Sequence, residues 1–407
     1  MEIPMTRKIK IFFVGELHSS HALSWIDLLQ PDAGLFEVRG FHFSPWNPPS
    51  TTWYKIIDGS VFKPTEKNRG WLSNIFNTEP QQSPQNDYIH GRGGFGLYYY
   101  NNLSVEIEEF QPDIIQTFGI FPASVFFMRA LPLIHSSNLI KKPKWVVQAR
   151  GGPDLALNQK NPILFQDIIS TLQSCDCFIA DNAMNYSIAS DLGLASEKLS
   201  PTGSVPGSGG IDLEMFREVP LPSKKEPLIL WPKAYNCIQS DGLVVVEALR
   251  RALPQLGNFK LVATAAIPEV EYWFKEFLGG YGDKVSICER LPRDKIMEIF
   301  SLARVLLAPS LSDGVPNSVY EAMASNTVPL VSPLETITPI FKNDVNAIYA
   351  PNLDPEAIAI ALVKAMHDDN LVDQIAINNK ALLPTIAGRE LIRQLVVDMY
   401  QNLARFN

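Results

Sequence analysis

Along this chain, compact apolar runs alternate with stretches whose apolar residues recur at helical spacing. The first run, Ile9–Gly15 behind a Lys8 lead-in, is almost unbroken, and Trp25, Ile26, Leu28 and Leu29 follow at helix-like intervals. Further runs stand at Pro112–Gly119, Trp145–Ala149 and Cys177–Asp181. A second series holds strands at Leu228–Trp231, Lys260–Thr264 and Val285–Cys288, with helices at Leu243–Leu253 and Asp294–Ala303, and leads to a strand at Leu306. Continuous apolar runs, as opposed to alternating ones, mark strands covered on both faces, which in an α/β alternation means parallel sheets with helices on either side. The Gly-, Ser- and Pro-rich stretch Gly203–Phe216 separates the two series as a hinge or linker. The pattern predicts two Rossmann-like domains, 1–210 and 211–385, with a terminal helix over 386–407. The tail Ala381–Asn407 carries Leu391, Ile392, Leu395, Val396, Met399 and Tyr400 at helical spacing.

Residues 43–95 have no regular period. Their aromatics Trp46, Trp53, Tyr54, Trp71 and Phe76 are read as anchors of a long loop, with stacking on sugar rings as the alternative, and Gly91–Gly94 as a turn before a helix ending near Phe110.

The chemistry concentrates in Leu306–Val331, an apolar strand, a polar loop, a short helix and a second apolar strand. Pro316 suits the first turn of a helix, where its missing N–H has no intrahelical partner, and Asn326 can adopt the left-handed conformation that ends one. The helix is therefore predicted over Asn317–Ser325. Backbone N–H groups near Asn317, Ser318 and Val319 would form an anion receptor suited to a phosphate. Asp313 before the helix and Glu321 about a turn into it are acceptor-only groups, and a carboxylate can grip two hydroxyls of a ribose or sugar ring at once. A nucleotide sugar carries two sets of hydroxyls with a diphosphate between them. The plainer reading is a cap at Asp313 and a surface Glu321 on an ordinary βαβ unit.

Composition narrows the choice. A chain of 407 residues with 46% hydrophobic content is globular and too long for one ordinary core. A net charge of −8, with both halves acidic, argues against a nucleic-acid module. Cys175, Cys177, Cys237 and Cys288 have neither disulfide-framework nor zinc-site spacing and are expected to be reduced thiols. No apolar run approaches a membrane span and the first residues lack a signal-peptide pattern, so a cytoplasmic protein is expected. The loop after Gly15 lacks G-x-G-x-x-G, and a dinucleotide is not indicated.

The D-x7-E spacing of Asp313 and Glu321, followed by AMASNTVPLV, resembles the E-x7-E motif of GT-B glycosyltransferases, above all the large retaining family numbered four. GGIDLEMF over Gly209–Phe216 resembles the G-V-D-x-x-x-F signature that closes their N-terminal half, and Pro112–Ile115 stands where that family has a P-D-[IV]-[IV] strand. The resemblance is dense over 201–366 and sparse over 40–110.

What the resemblance implies is a GT-B fold: two Rossmann-like domains facing across a cleft, acceptor on the first and nucleotide-sugar donor on the second, with the last helix crossing back to the first. It implies hexose transfer from a UDP-hexose with retention of configuration, to a glycan or lipid-linked acceptor in surface polysaccharide synthesis. The donor is a substrate, and no cofactor is expected. Since the chain has no D-x-D, no metal is expected either. Donor contacts are expected from Gly15, Arg150, Lys233, Asp313, Gly314, Val315, Asn317, Ser318, Val319 and Glu321. Catalytic roles fall to Asp313, Lys233 and His21, with Asp154 beside His21 as a candidate for acceptor deprotonation. Two departures stand out. Arg150 replaces the usual His or aromatic residue and cannot act as a base, because it stays protonated; it could bind diphosphate or an acidic acceptor, or pair with Asp154. Ser240-Asp241-Gly242 stands where the family has a K-G pair, so the diphosphate would rely more on Lys233. These departures keep a non-catalytic nucleotide-sugar-binding protein open as an alternative, beside an inverting transferase or a nucleotide-sugar epimerase. The basic run Leu139–Trp145 is weighed as a weak peripheral contact with the inner membrane face, against the plainer reading of solvated lysines on a turn.

Overall fold

The computed structural model describes residues 7–44, 46–59, 94–135 and 138–405. Trp71, Phe76 and the turn residues Gly91–Gly93 lie outside them. The chain divides into two compact units, one of residues 1–150, 154–209 and 393–407, the other of 151–153 and 210–392.

The first unit is a parallel sheet of β1 (Ile9–Gly15), β2 (Phe36–His42), β3 (Lys55–Asp58), β4 (Ile114–Phe118), β5 (Lys144–Ala149) and β6 (Cys177–Ala180), in the order β3-β2-β1-β4-β5-β6. Helices α1 (Ser20–Ile26), α2 (Gly94–Phe110), α3 (Val125–His135), α4 (Pro153–Asn158), α5 (Phe165–Ser174) and α6 (Ala183–Asp191) connect these strands. Every residue of β4 is buried, as are Ile11–Gly15 of β1, which is the burial on both faces that unbroken apolar runs require. One core joins Phe12, Val14, Phe41, Ile115 and Val147 to Leu103, Phe127 and Ile168 on the helices.

The second unit repeats the arrangement with β7 (Leu228–Trp231), β8 (Lys260–Ala263), β9 (Val285–Ile287), β10 (Val305–Ala308), β11 (Val328–Val331) and β12 (Ile348–Tyr349), in the order β12-β11-β10-β7-β8-β9. Counted from β7, this is the doubly wound order of the first unit. Helices α7 (Gly242–Ala252), α8 (Pro268–Leu278), α9 (Arg293–Leu302), α10 (Asn317–Ala324), α11 (Pro355–His367) and α12 (Asp369–Ile386) cover its faces. One face buries Val246, Leu249, Leu307 and Leu362, and the other buries Phe300, Leu306, Val319 and Met323. In such sheets the strand order reverses between the first and fourth strands, and the loops leaving their C-terminal ends border the crevice where ligands bind.

The continuous apolar pattern of the tail does not make one helix. Gly388 interrupts it, and α13 runs Arg389–Arg405. The Ile211 amide donates to Ala387 O at 2.8 Å and Arg389 donates to Ile211 O at 2.9 Å, so a backbone bridge replaces helical bonds there. A Cβ on Gly388 would sit 2.9 Å from Pro384 O, a position only glycine fills without displacement. Leu391, read as part of the apolar stripe, is exposed. Beyond it α13 packs within the first unit, where the buried Tyr400 hydroxyl accepts from Trp25 Nε1 at 3.1 Å and donates to Gln116 Oε1 at 2.5 Å. No helix among the described residues is long and apolar enough to cross a membrane.

Candidate functional site

In the second unit, the reversal point lies between β7 and β10, and the loops leaving these strands carry Lys233 and Asp313. Lys233 Nζ forms a close ion pair with Asp313 Oδ2, the two side chains 20% and 11% exposed. Burial works against the ammonium, but the Asp313 carboxylate outweighs it, and the Lys233 pKa is raised. Asp313 also accepts from the Gly314 amide at 2.9 Å, while Thr336 Oγ1 donates to Asp313 O at 2.7 Å and pins the loop backbone. Lys233 and Asp313, assigned to separate parts of a ligand by sequence, thus neutralise each other here, and the Gly314 amide is spent on the Asp313 carboxylate.

Helix α10 begins one residue after Pro316, whose φ of −61° and ψ of 137° place it at the N-cap and not, as the sequence suggested, in the first turn. A second correction concerns Val319, whose amide donates to Pro316 O at 2.9 Å and is not available to an anion. Asn317 and Ser318 are the first two residues of the helix, where no intrahelical acceptor precedes their amides. The Ser318 hydroxyl is buried without a hydrogen-bond partner, a polar atom ready for a ligand oxygen. Val315 is a buried core residue, so its side chain anchors the loop. At the far end Asn326 has φ 52°, the left-handed value expected of it, and Asn326 Nδ2 donates to Val219 O at 2.8 Å.

Glu321 is 6% exposed, not the surface residue of the plainer reading. Burial raises its pKa, against the lowering effect of Arg293, whose Nη1 donates to Glu321 Oε1 at 2.7 Å. Sequence reasoning did not find Arg293, because the pair joins the first residue of α9 to the middle of α10 and no local spacing announces it. The Asp241 carboxylate accepts from the Val244 amide at 3.1 Å and caps α7. An N-cap favours Asp far above Lys, which gives the missing K-G pair a local structural reason.

In the first unit the reversal point lies between β1 and β4. Gly15 ends β1, and a Cβ there would lie 3.1 Å from the Phe118 Cβ. The Arg150 guanidinium stacks over the Phe118 ring at 4.2 Å, its Nη2 donates to Gln148 Oε1 at 3.3 Å, and its Nε is buried without a partner. Burial lowers the Arg150 pKa to about 10, with Asp181 and Asp154 opposing, so it is still a cation at neutral pH. Gly15 and Arg150 therefore meet across Phe118. Asp154 takes a different role from the one sequence offered: its carboxylate accepts the amides of Ile120, Phe121 and Arg150 at 2.9, 3.2 and 2.9 Å, which makes it a loop anchor. It pairs with the Arg150 backbone and not with the guanidinium. His21 is exposed in the first turn of α1.

Of the loop aromatics, Tyr54 is buried and Trp53 Nε1 donates to Asp27 Oδ1 at 2.9 Å, both acting as anchors, whereas Trp46 is 66% exposed. The basic run Leu139–Trp145 opens β5, at the opposite end of that strand from Arg150. Lys144 pairs with Asp176 at 3.1 Å, leaving Lys141 and Lys142 beside Ile140, which is 91% exposed. Among the described residues no group of three or more His, Cys, Asp or Glu is gathered as a metal site.

Residues 235–368 match the model of the family described as Glycosyl transferases group 1. A search of curated proteins gave no match. Among solved structures, sucrose-phosphate synthase from Thermosynechococcus elongatus superposes with a TM-score of 0.72 at 14% identity, covering 98% of this chain and 100% of that one. Anabaena HepE, in complex with UDP and glucose, gives 0.67 at 12% identity over 97% of this chain and 100% of its own. The lipopolysaccharide outer core galactosyltransferase WaaB gives 0.64 at 12% identity over 97% and 99%. The chain has the GT-B fold, and residues 235–368 of its second unit are similar to the glycosyl transferases group 1 model.

Proposed function

We propose that this protein transfers a hexose from a nucleotide diphosphate sugar, with a UDP-hexose favoured, to a glycan or lipid-linked acceptor in surface polysaccharide synthesis. The observation that carries the reading is the convergence of Lys233, Asp313, the unpartnered Ser318 hydroxyl and the buried Glu321 at the reversal point of the second sheet. The diphosphate would lie against the Asn317 and Ser318 amides and Lys233, the ribose diol on Glu321, and the transferred hexose on Asp313. Preorganised donors at a helix start act where charge develops on the leaving diphosphate.

Transfer proceeds with retention and without a metal, the leaving charge being met by Lys233 and the helix start. Attack on the same face of the sugar within an ion pair needs no enzymatic nucleophile. His21 is the candidate for taking the acceptor proton. The protein works in the cytoplasm, with Ile140, Lys141 and Lys142 making at most a weak peripheral membrane contact.

The second reading is a nucleotide-sugar-binding protein without transfer activity, favoured by Asp241 standing where a second phosphate-binding lysine would be. A thermal-shift screen of nucleotide sugars tests the donor site, since a ligand at about 100 times its dissociation constant stabilises by ~2.7 kcal/mol. Release of UDP from the stabilising sugar nucleotide, with the anomeric configuration of the product read by NMR, separates a retaining transferase from an inverting one, an epimerase or a binder. If no nucleotide sugar shifts the unfolding midpoint, the donor assignment is wrong.

A further inference from the structure

The first residue of α9, Arg293, pairs with Glu321 in the middle of α10, whose beginning carries the amides of the candidate donor site. The ends of both helices meet one half-buried cation. Lys225 precedes β7, and its Nζ donates to Ala303 O at 2.9 Å, Ser325 O at 2.5 Å and Thr327 Oγ1 at 3.1 Å. Ala303 and Ser325 are the C-cap residues of α9 and α10. The last carbonyls of a helix lack intrahelical donors and form the negative end of its dipole, so one ammonium satisfies both helix ends. Thr327 Oγ1 adds contacts to Phe300 O at 2.7 Å and Ala303 O at 2.8 Å, and Ser325 Oγ donates to Glu321 O at 2.8 Å. The knot therefore reaches the backbone of Glu321 itself.

Among the described residues this ammonium donates to no carboxylate, and the charged groups on neighbouring elements are engaged elsewhere. Glu226 is held by Lys260 at 2.7 Å, Asp369 by Arg304 at 2.7 Å, and Asp373 accepts from Ser223 Oγ at 2.7 Å. Lys224 is exposed. Burial pushes the Lys225 amine down to about 7, while the helix carbonyls favour the protonated form.

We propose that Lys225 is a positioning residue for the donor site: its ammonium joins the C-termini of α9 and α10 and so holds Glu321 and the start of α10 in the arrangement that receives a nucleotide diphosphate. This rests on the donor reading given above. Neutral Lys225 can offer at most two N–H bonds to its three acceptors and leaves both helix ends without a charge. A diphosphate at the start of α10 therefore binds better when the ammonium is present at its end. Linkage makes this reciprocal: donor binding raises the proton affinity of Lys225, and donor affinity falls as pH rises through its pKa.

The test is calorimetric titration of UDP-glucose into the wild-type chain, Lys225→Arg and Lys225→Met between about pH 6.5 and pH 8.5. This probe is a diphosphate diester, so its phosphates do not titrate in that window. Wild-type affinity is expected to fall about three- to tenfold across it, bounded by tenfold per pH unit for a single proton. Binding near neutrality should also take up protons, seen as a dependence of the heat on buffer ionisation enthalpy. Lys225→Arg keeps a permanent charge and should bind with a flatter pH profile, and Lys225→Met should bind weakly throughout. Every other ionisable group is unchanged in these variants, so its contribution cancels in the comparison. An identical pH slope in Lys225→Arg and wild type, or no proton uptake by wild type, overturns the proposal, and the second result needs no variant to fold. Absence of UDP-glucose binding by wild type at every pH, with none of the other nucleotide sugars bound, overturns the donor reading itself and this inference with it.

Discussion

Replacing Asp313 by Asn should strengthen the binding of UDP while abolishing most transfer. In the structure, Lys233 is neutralised by Asp313, the pair being only 20% and 11% exposed. UDP has no hexose for Asp313 to hold, so the carboxylate is purely a competitor for Lys233 and a repulsive neighbour of the phosphates. Two unit charges on the order of 6 Å apart at an effective dielectric of ~20 interact by about 3 kcal/mol, and partial exposure and salt reduce this to about 1–2 kcal/mol. Removing the charge should therefore tighten UDP about 5- to 30-fold. Asn keeps one oxygen, enough for the Gly314 amide or for Lys233 but not for both, which use different oxygens of Asp313. With both side chains partly exposed, the cost in stability should stay near about 1–3 kcal/mol, at or below the ~3–5 kcal/mol typical when a fully buried pair loses one partner. Calorimetry with UDP, thermal unfolding and turnover of the sugar nucleotide measure the three quantities separately. Should UDP affinity fall in parallel with turnover, Asp313 supports the nucleotide site directly and the competition for Lys233 does not exist.

Three further outcomes are expected. Glu321→Ala should weaken UDP binding by about 1.5–3 kcal/mol through the lost charge-assisted bonds to the ribose, and Arg293→Met should recover little of it, because Arg293 only holds the carboxylate; equal binding by wild type and Glu321→Ala would remove the ribose assignment. Transfer should survive EDTA at full rate, and a requirement for added divalent ion would refute the assignment of leaving-group charge to Lys233 and the start of α10. Tyr400→Phe should orphan Trp25 Nε1 and Gln116 Oε1, both buried, and lower the stability of the first unit by about 1–3 kcal/mol in urea titrations that follow Trp fluorescence.

Strands were the most legible part of this chain. Ile9–Gly15 and Leu228–Trp231 were read with their observed limits, because a strand covered on both faces is apolar at nearly every position and ends where polarity returns. The α10 helix and the left-handed Asn326 were legible for the same local reason: Pro and Asn act on their own backbone. What stayed hidden depends on partners distant in sequence. The stop at Gly388 is set by a bridge to Ile211, and the tail pattern on either side of it is equally apolar. Asp154 reads as a reactive carboxylate in a Gly-rich loop, yet three amides, two of them more than 30 residues away, occupy it. Lys225 gives no signal in Ser223-Lys224-Lys225-Glu226, which looks like a solvated charged turn.

The substitution of Ser240-Asp241 for a lysine-containing pair also has a consequence for how the donor site would discriminate. With Asp241 committed to capping α7, the reversal point of the second sheet carries Lys233, whose charge is cancelled by Asp313. A free phosphate or a nucleoside monophosphate would have to separate that pair with little in return. A nucleotide sugar separates it while giving Asp313 hexose hydroxyls, Glu321 a ribose diol and the α10 start a diphosphate, so the ion pair is exchanged for several charge-assisted bonds at once. Wild-type affinity should therefore rank UDP-sugar above UDP, and Asp313→Asn should reverse that order. Loss of the sugar's advantage in the variant without any gain for UDP would mean that Asp313 holds the hexose but does not restrain Lys233.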